Sequence, residues 1–172
     1  MDEFVVDFEA FPVGENYQIK ELCAVNLSTM QKRQFMVNLP SEGLSNLSDR
    51  DRRTYRWIVE NLHGLTWHQK STKHEIVGVE WLYSYLKNLS LLGTIWVKGD
   101  QKCHYLRQRL DVPIMNVENL IQHVEVGDYM ENAHCGENVH RWITNCATRK
   151  AMTLAKKLRS FLVMKTNWVN SI

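Results

Sequence analysis

Apolar and polar positions recur with two different periods along this chain, and the switches between them mark its elements. Residues 5–11 carry Val5, Val6, Phe8 and Phe11, with two carboxylates, Asp7 and Glu9, inside the apolar run. Strand side chains two apart share a face. The run therefore predicts a strand with Asp7 and Glu9 projecting together from one side. A short turn at 13–16 leads to a second strand over 17–27, and a third follows over 33–39, closed by Pro40. The Ser- and Asn-rich stretch 41–48 predicts a loop. At 49–61 the period changes. Tyr55, Ile58, Val59 and Leu62 fall at i, i+3, i+4 and i+7, the spacing of a buried helical face. Ser48 stands as N-cap, with Asp49 and Asp51 in the first turn. A second helix is predicted over 77–89, with Trp81, Leu82, Tyr85 and Leu86 as its apolar side. A β-branched and aromatic strand follows over 94–97, then a helix from the 98–102 turn to near Leu110, then a short strand over 113–117. Strands and helices alternating at this length predict an α/β fold, a mixed central sheet flanked by helices.

Composition narrows the picture without deciding it. The 172 residues, 44% hydrophobic, suit one domain spanning 1–172 with a real core. A net charge of +2 excludes a polycation, so nucleic-acid binding would need a local patch. No apolar run approaches the ~20 residues of a membrane-spanning helix. The start, Met1-Asp2-Glu3, is acidic where a secretory signal would be basic. The expectation is an intracellular protein, cytoplasmic or nuclear. Its four cysteines, Cys23, Cys103, Cys135 and Cys146, are then reduced, buried or metal-bound rather than paired in disulfides.

Asp7 and Glu9 are the first candidate chemistry. Two neighbouring carboxylates repel, and burying them is costly unless they are compensated. A divalent cation is one compensation, and paired carboxylates holding Mg²⁺ or Mn²⁺ serve phosphoryl transfer. The alternative is a strand end whose acids reach solvent.

The order of motifs resembles the DnaQ-type (DEDD) 3′–5′ exonucleases of the RNase H-like fold. There a first strand carries Asp-x-Glu, a second reads like "IIEIGAV", and a helix leads into an "HGIT" turn. Here these are Asp7-Phe8-Glu9, Ile19-Lys20-Glu21-Leu22-Cys23-Ala24-Val25 and His63-Gly64-Leu65-Thr66. The resemblance implies an RNase H-like (DnaQ exonuclease-type) mixed sheet, a single-stranded nucleic acid substrate, and Asp7 and Glu9 as metal-binding acids. Asp100 is the only carboxylate near the place of the third acid, and it fits equally as a helix-capping residue. Lys102 and Cys103 occupy the region where the family's third Asp is expected. The family's fourth acid belongs to an "HxAxxDA" element. The similar stretch here is 140–147, where Asn145 and Cys146 replace the Asp, and no acid follows Glu137.

Cys135, His140 and Cys146 lie within twelve residues, spaced C-x4-H-x5-C. Both residue types are good Zn²⁺ ligands. Two buried free cysteines beside a surface histidine would give the same pattern. The chain is also similar to the Maelstrom domain of the germline small-RNA pathway, a DnaQ-like fold that carries a Glu-Cys-His-Cys zinc set in place of the DEDD acids. That resemblance implies one structural Zn²⁺ held by Glu21, Cys135, His140 and Cys146, with His134 as a substitute ligand. Cys23 and Cys103 are expected in the core. Unlike Maelstrom domains, this chain keeps Asp7-x-Glu9.

The C-terminal region supplies positive charge. From 141 to 165 the charged residues are Arg141, Arg149, Lys150, Lys156, Lys157, Arg159 and Lys165, while Leu154, Leu158, Phe161 and Leu162 recur at helical spacing. Such a helix either presents a solvated basic face or binds phosphates through Arg149, Lys150, Lys156, Lys157 and Arg159. Trp142 and Trp168 fit base stacking or packing. The functional expectation is an RNA-associated domain, a degenerate ribonuclease acting on single-stranded RNA. The alternative is a non-catalytic module for protein–protein interaction in a silencing, transposon or viral context.

Overall fold

The computed structural model describes residues 2–121, 135–136, 139–140 and 145–169, the last five by backbone alone. Its centre is a mixed six-stranded sheet in the order β4 (Glu75–Gly78), β3 (Lys32–Asn38), β2 (Asn16–Asn26), β1 (Asp2–Val13), β5 (Gly93–Val97), β6 (Ile114–Asn116). Strands β1 (Asp2–Val13) and β2 (Asn16–Asn26) form a long antiparallel hairpin. Gly14, at φ 59°, supplies the left-handed conformation its tight turn needs. Strand β3 (Lys32–Asn38) adds antiparallel to β2. Strands β5 (Gly93–Val97) and β6 (Ile114–Asn116) add parallel on the other side of β1, reached through helices as parallel connections require.

Period-two alternation sorts the strands onto two faces. Phe4, Val6, Phe8, Leu22, Ala24, Phe35, Val37, Ile95 and Val97 face the larger core. That core is closed by α2 (Asp49–Asn61), α3 (Val79–Leu92) and α4 (Asp100–Leu110). Val5, Cys23, Val25 and Trp96 face the smaller core, covered by the long C-terminal helix α5 (Ala147–Val169) through Ala147, Ala151, Leu154, Ala155 and Leu158. The small residues on α5 let it lie close to the sheet. Cys23 and Cys103 are buried, as expected.

A register shift breaks the β1/β2 ladder. Glu9 pairs with Glu21 but Ala10 pairs with Ile19, so Lys20 has no opposite number. Such a bulge twists a strand and re-aims its side chains. Here it returns Ile19 to the same core as Leu22 while leaving Glu9 and Glu21 adjacent on the α5 face.

Four sequence expectations are corrected. The helix predicted over 77–89 is strand β4 (Glu75–Gly78) followed by α3, because Ile76 and Val77 extend the sheet in parallel beside β3 before Gly78 caps the helix. Residues 41–48 include a one-turn helix, α1 (Ser41–Ser45), beside Pro40, whose carbonyl accepts from Trp67 Nε1 at 2.9 Å. On α3, Leu82, Leu86 and Leu89 are the buried residues, whereas Trp81 is 45% exposed. Trp81 instead stacks on Tyr85 with ring centres 5.5 Å apart, and the Arg33 guanidinium lies over both rings. Ile58 is the buried residue of α2, and Leu62 is partly exposed at its end. Among the described residues, no helix is long and apolar enough to cross a membrane.

Candidate metal centre

Glu21 lies on β2, fully buried and facing α5. Its carboxylate is gripped from several elements. His74, just before β4, donates from Nε2 to Oε1 at 2.9 Å, and His140 donates from Nε2 to the same oxygen at 3.1 Å. The Cys146 thiol points to Oε1 at 3.9 Å, and the Ala147 amide, at the start of α5, donates to Oε2 at 2.9 Å. A helix N-terminus presents unsatisfied amides and a positive dipole end, both suited to a carboxylate.

Cys135 and Cys146 complete the cluster. One ligand atom from each of Glu21, Cys135, His140 and Cys146 can be chosen so that all four lie within 4.8 Å of one another. A tetrahedral zinc with Zn–S near about 2.3 Å and Zn–N near about 2.0 Å puts its ligand atoms roughly 3–4 Å apart, so a small closure would seat an ion. Two sulfurs, one imidazole nitrogen and one carboxylate oxygen can hold a metal ion. Burial is close to complete at Glu21, Cys135 and Cys146.

The surrounding hydrogen bonds orient this donor set. His140 directs Nδ1 at the His63 carbonyl, 3.3 Å away, which turns Nε2 into the cluster. His74 Nδ1 is hydrogen-bonded to the Ser71 hydroxyl, which leaves Nε2–H for Glu21. Gln34 on β3 donates to the Cys135 carbonyl at 3.0 Å and accepts from the Thr148 hydroxyl at 3.3 Å. Asn145 donates to the Leu62 carbonyl at 3.0 Å, anchoring the chain just before Cys146.

Electrostatics follow from this packing. Burial opposes charge on Glu21, but hydrogen bonds from His140 and His74, the His140 charge and the Ala147 amide outweigh it and hold the carboxyl down to about 2. Burial likewise opposes charge on His140, and its contacts with Cys146 and Glu21 carry it up to about 10. A hydrogen bond with Cys135, together with burial, pushes the Cys146 thiol up. A bound cation would reverse the cysteine shift, because it stabilises thiolate directly and takes the place of the His140 Nε2 proton.

The remaining predicted residues lie beside this cluster or away from it. Asp7 and Glu9 share the α5 face as expected, Asp7 buried opposite Cys23 and Glu9 opposite Glu21. Each carboxylate meets a lysine: Asp7 pairs with Lys102 at 2.6 Å, and Glu9 pairs with Lys150. Burial raises the Glu9 pKa against the opposing pull of Lys150 and Lys102. Asp100 opens α4 and accepts from Asn116 Nδ2 at 2.8 Å. Among the basic residues, Arg149 is buried and Lys150 is engaged with Glu9, while Lys156 and Arg159 are exposed and Lys157 is half-buried. His134, Arg141 and Trp142 lie outside the described residues, as do the side chains of Lys165 and Trp168.

Sequence reasoning missed His74 and Gln34. Their signal is weak: His74 precedes β4, a four-residue strand whose last two residues fall inside the helix predicted over 77–89, and Gln34 is one polar residue in an edge-proximal strand. Neither the family models nor the curated proteins contain a match to this sequence.

Proposed function

We propose that this chain is an RNA-associated domain of the RNase H-like, DnaQ-type fold, closest in pattern to the Maelstrom domain, whose fold is fastened by one structural Zn²⁺ at Glu21, Cys135, His140 and Cys146. The observation that carries the reading is the convergence of those four donors: Glu21 on β2, Cys135, His140, and Cys146 just before α5. The hairpin β1/β2, the antiparallel β3 and the parallel β5 and β6 are compatible with an RNase H-like order. A set of four ligands with no open position is structural rather than catalytic zinc, and its binding energy becomes folding energy.

Support for RNA comes from α5. Lys156, Lys157, Ser160 and Thr153 line an open groove of about 420 Å³ together with Ile121, Phe161 and Met164. Ammonium and hydroxyl donors beside an aromatic ring and apolar side chains suit phosphates and stacked bases. A protein-interaction module is the second reading, favoured by Leu91 and Leu92, which are 78% and 60% exposed at the end of α3.

The test pairs elemental analysis with single-stranded RNA binding by fluorescence anisotropy. The expected result is one zinc per chain and salt-sensitive binding. Lys156→Glu with Arg159→Glu should weaken that binding and flatten the log–log salt slope by about 1.4. A zinc-free protein that keeps its fold would sink the metal reading. Zinc without RNA binding would leave the protein-interaction module.

A further inference from the structure

The carboxylate pair on β1 sits in a different chemical setting from the Glu21 cluster. Asp7 is almost wholly enclosed, its side chain 3% exposed, and that of Glu9 is 11% exposed. One ammonium stands on each. Lys102 reaches from the first turn of α4, and its Nζ donates to Asp7 Oδ1 and to the Phe8 carbonyl, both at 2.6 Å, while lying 4.7 Å from the centre of the Phe8 ring. Lys150 reaches from the first turn of α5 to Glu9. Gly99, at φ 91°, makes the β5–α4 turn that sets Lys102 in place. The second Asp7 oxygen, Oδ2, is buried with no hydrogen-bond partner.

We infer that Lys102 and Lys150 are built-in counter-cations, and that Asp7, Glu9 and the Phe8 carbonyl form a latent divalent-cation site which the folded chain keeps shut with its own ammonium groups. The ligand chemistry is that of a hard cation: two carboxylates and a backbone carbonyl, all oxygen, with no sulfur or imidazole among them. The Lys102 Nζ position, between Asp7 Oδ1 and the Phe8 oxygen, is where such a cation would bind. Two carboxylates and two ammoniums sum to zero charge, so the pair offers no net attraction to a divalent ion. An entering ion would also have to displace two tethered groups and leave them in a largely buried place. Lys102 and Lys150 are 27% and 18% exposed, so they also cover the acids from solvent. The consequence is an acid pair that neither binds Mg²⁺ nor supports metal-dependent hydrolysis in this chain.

The experiment removes the ammoniums and keeps the stems. Lys102→Met with Lys150→Met leaves two enclosed carboxylates uncompensated. Mn²⁺ binding is read from the paramagnetic resonance signal of the free ion, and stability from thermal melting with and without Mn²⁺. The wild type is expected to show no Mn²⁺ binding that depends on Asp7, even at millimolar ion. The double variant is expected to melt lower than wild type, to gain one Mn²⁺, and to recover stability when Mn²⁺ is added. Adding Asp7→Asn to it should abolish that gain. Wild-type Mn²⁺ binding that disappears in Asp7→Asn overturns the inference, as does a folded double variant that gains no ion. If the double variant does not fold even in Mn²⁺, Lys102→Met alone decides on the same readouts. Because every readout is its dependence on Asp7, the result stands whether or not the Glu21 cluster holds zinc.

Discussion

Lys20 shows how strongly one position can depend on its surroundings. It is the residue left over by the β1/β2 bulge, it is 1% exposed, and its Nζ donates to the Val37 carbonyl at 2.8 Å. Burial lowers its pKa from 10.5 to about 8. Between those two values Lys20 is more protonated in the unfolded chain than in the folded one, so its contribution to stability rises with pH across that window. Below about pH 8 the cost of the enclosed charge is fully present. Lys20→Met removes that cost but forfeits the bond to Val37, for a net gain of roughly 1–2 kcal/mol at pH 7. Urea midpoints at pH 7 and 9.5 check this. Both proteins lose stability over this range as the His140 contacts weaken, so the Lys20 contribution is the difference: the wild type should gain stability relative to the variant between those points, and equal slopes for the two proteins would refute the account.

At the scale of elements, helix ends carry much of the local information. Ser48 Oγ accepts from the Asp51 amide at 3.1 Å and donates to the Asp51 carboxylate at 2.8 Å, a reciprocal cap that starts α2 where the sequence places it. Ser48→Ala should cost about 1 kcal/mol, visible as a lower urea midpoint with an unchanged slope. Helix α5 behaves differently. Its inward face is Ala147, Ala151, Leu154, Ala155 and Leu158, and Leu158 is fully buried. Leu158→Ala should therefore cost about 2–5 kcal/mol, well above the cap deletion. A cost below that of Ser48→Ala would mean that α5 is not seated on the sheet as described.

At the scale of the molecule, the Glu21 cluster joins the sheet to the start of α5, so the cation would hold the smaller core shut. Chelation with a strong zinc ligand should lower the melting temperature by about 10 °C or more, given that each kcal/mol moves a protein of this size by roughly 2–4 °C. Hydrogen exchange should then rise first along α5, before the β1/β2 hairpin. Cys146→Ser should reproduce both effects without chelator. Uniform exchange over the whole sheet and α5 would argue that the cluster does not fasten that layer separately.

Local pattern alone determined a good part of this protein. Period-two runs placed β1, β2 and β3, the i, i+3, i+4 spacing placed α2, and Asp7-x-Glu9 shared a face because strand geometry leaves no other choice. Three residues of the candidate metal centre, Cys135, His140 and Cys146, were also legible as residue types, since Cys and His within twelve residues are few and chemically distinctive, whereas Glu21 entered only through the family resemblance. Strand β4 was not legible: four residues with two β-branched side chains carry too little period, and pairing with β3 decided the matter. Nor could spacing show that Lys102 and Lys150, 95 and 141 residues from their carboxylates, would close on Asp7 and Glu9. Charge pattern likewise treated α5 as one basic face, whereas packing turned Arg149 and Lys150 inward and left Lys156 and Arg159 in solvent. Secondary structure and ligand type are set by near neighbours, which the sequence contains in order. Which cation meets which anion depends on how distant elements pack, and only the tertiary structure decides that.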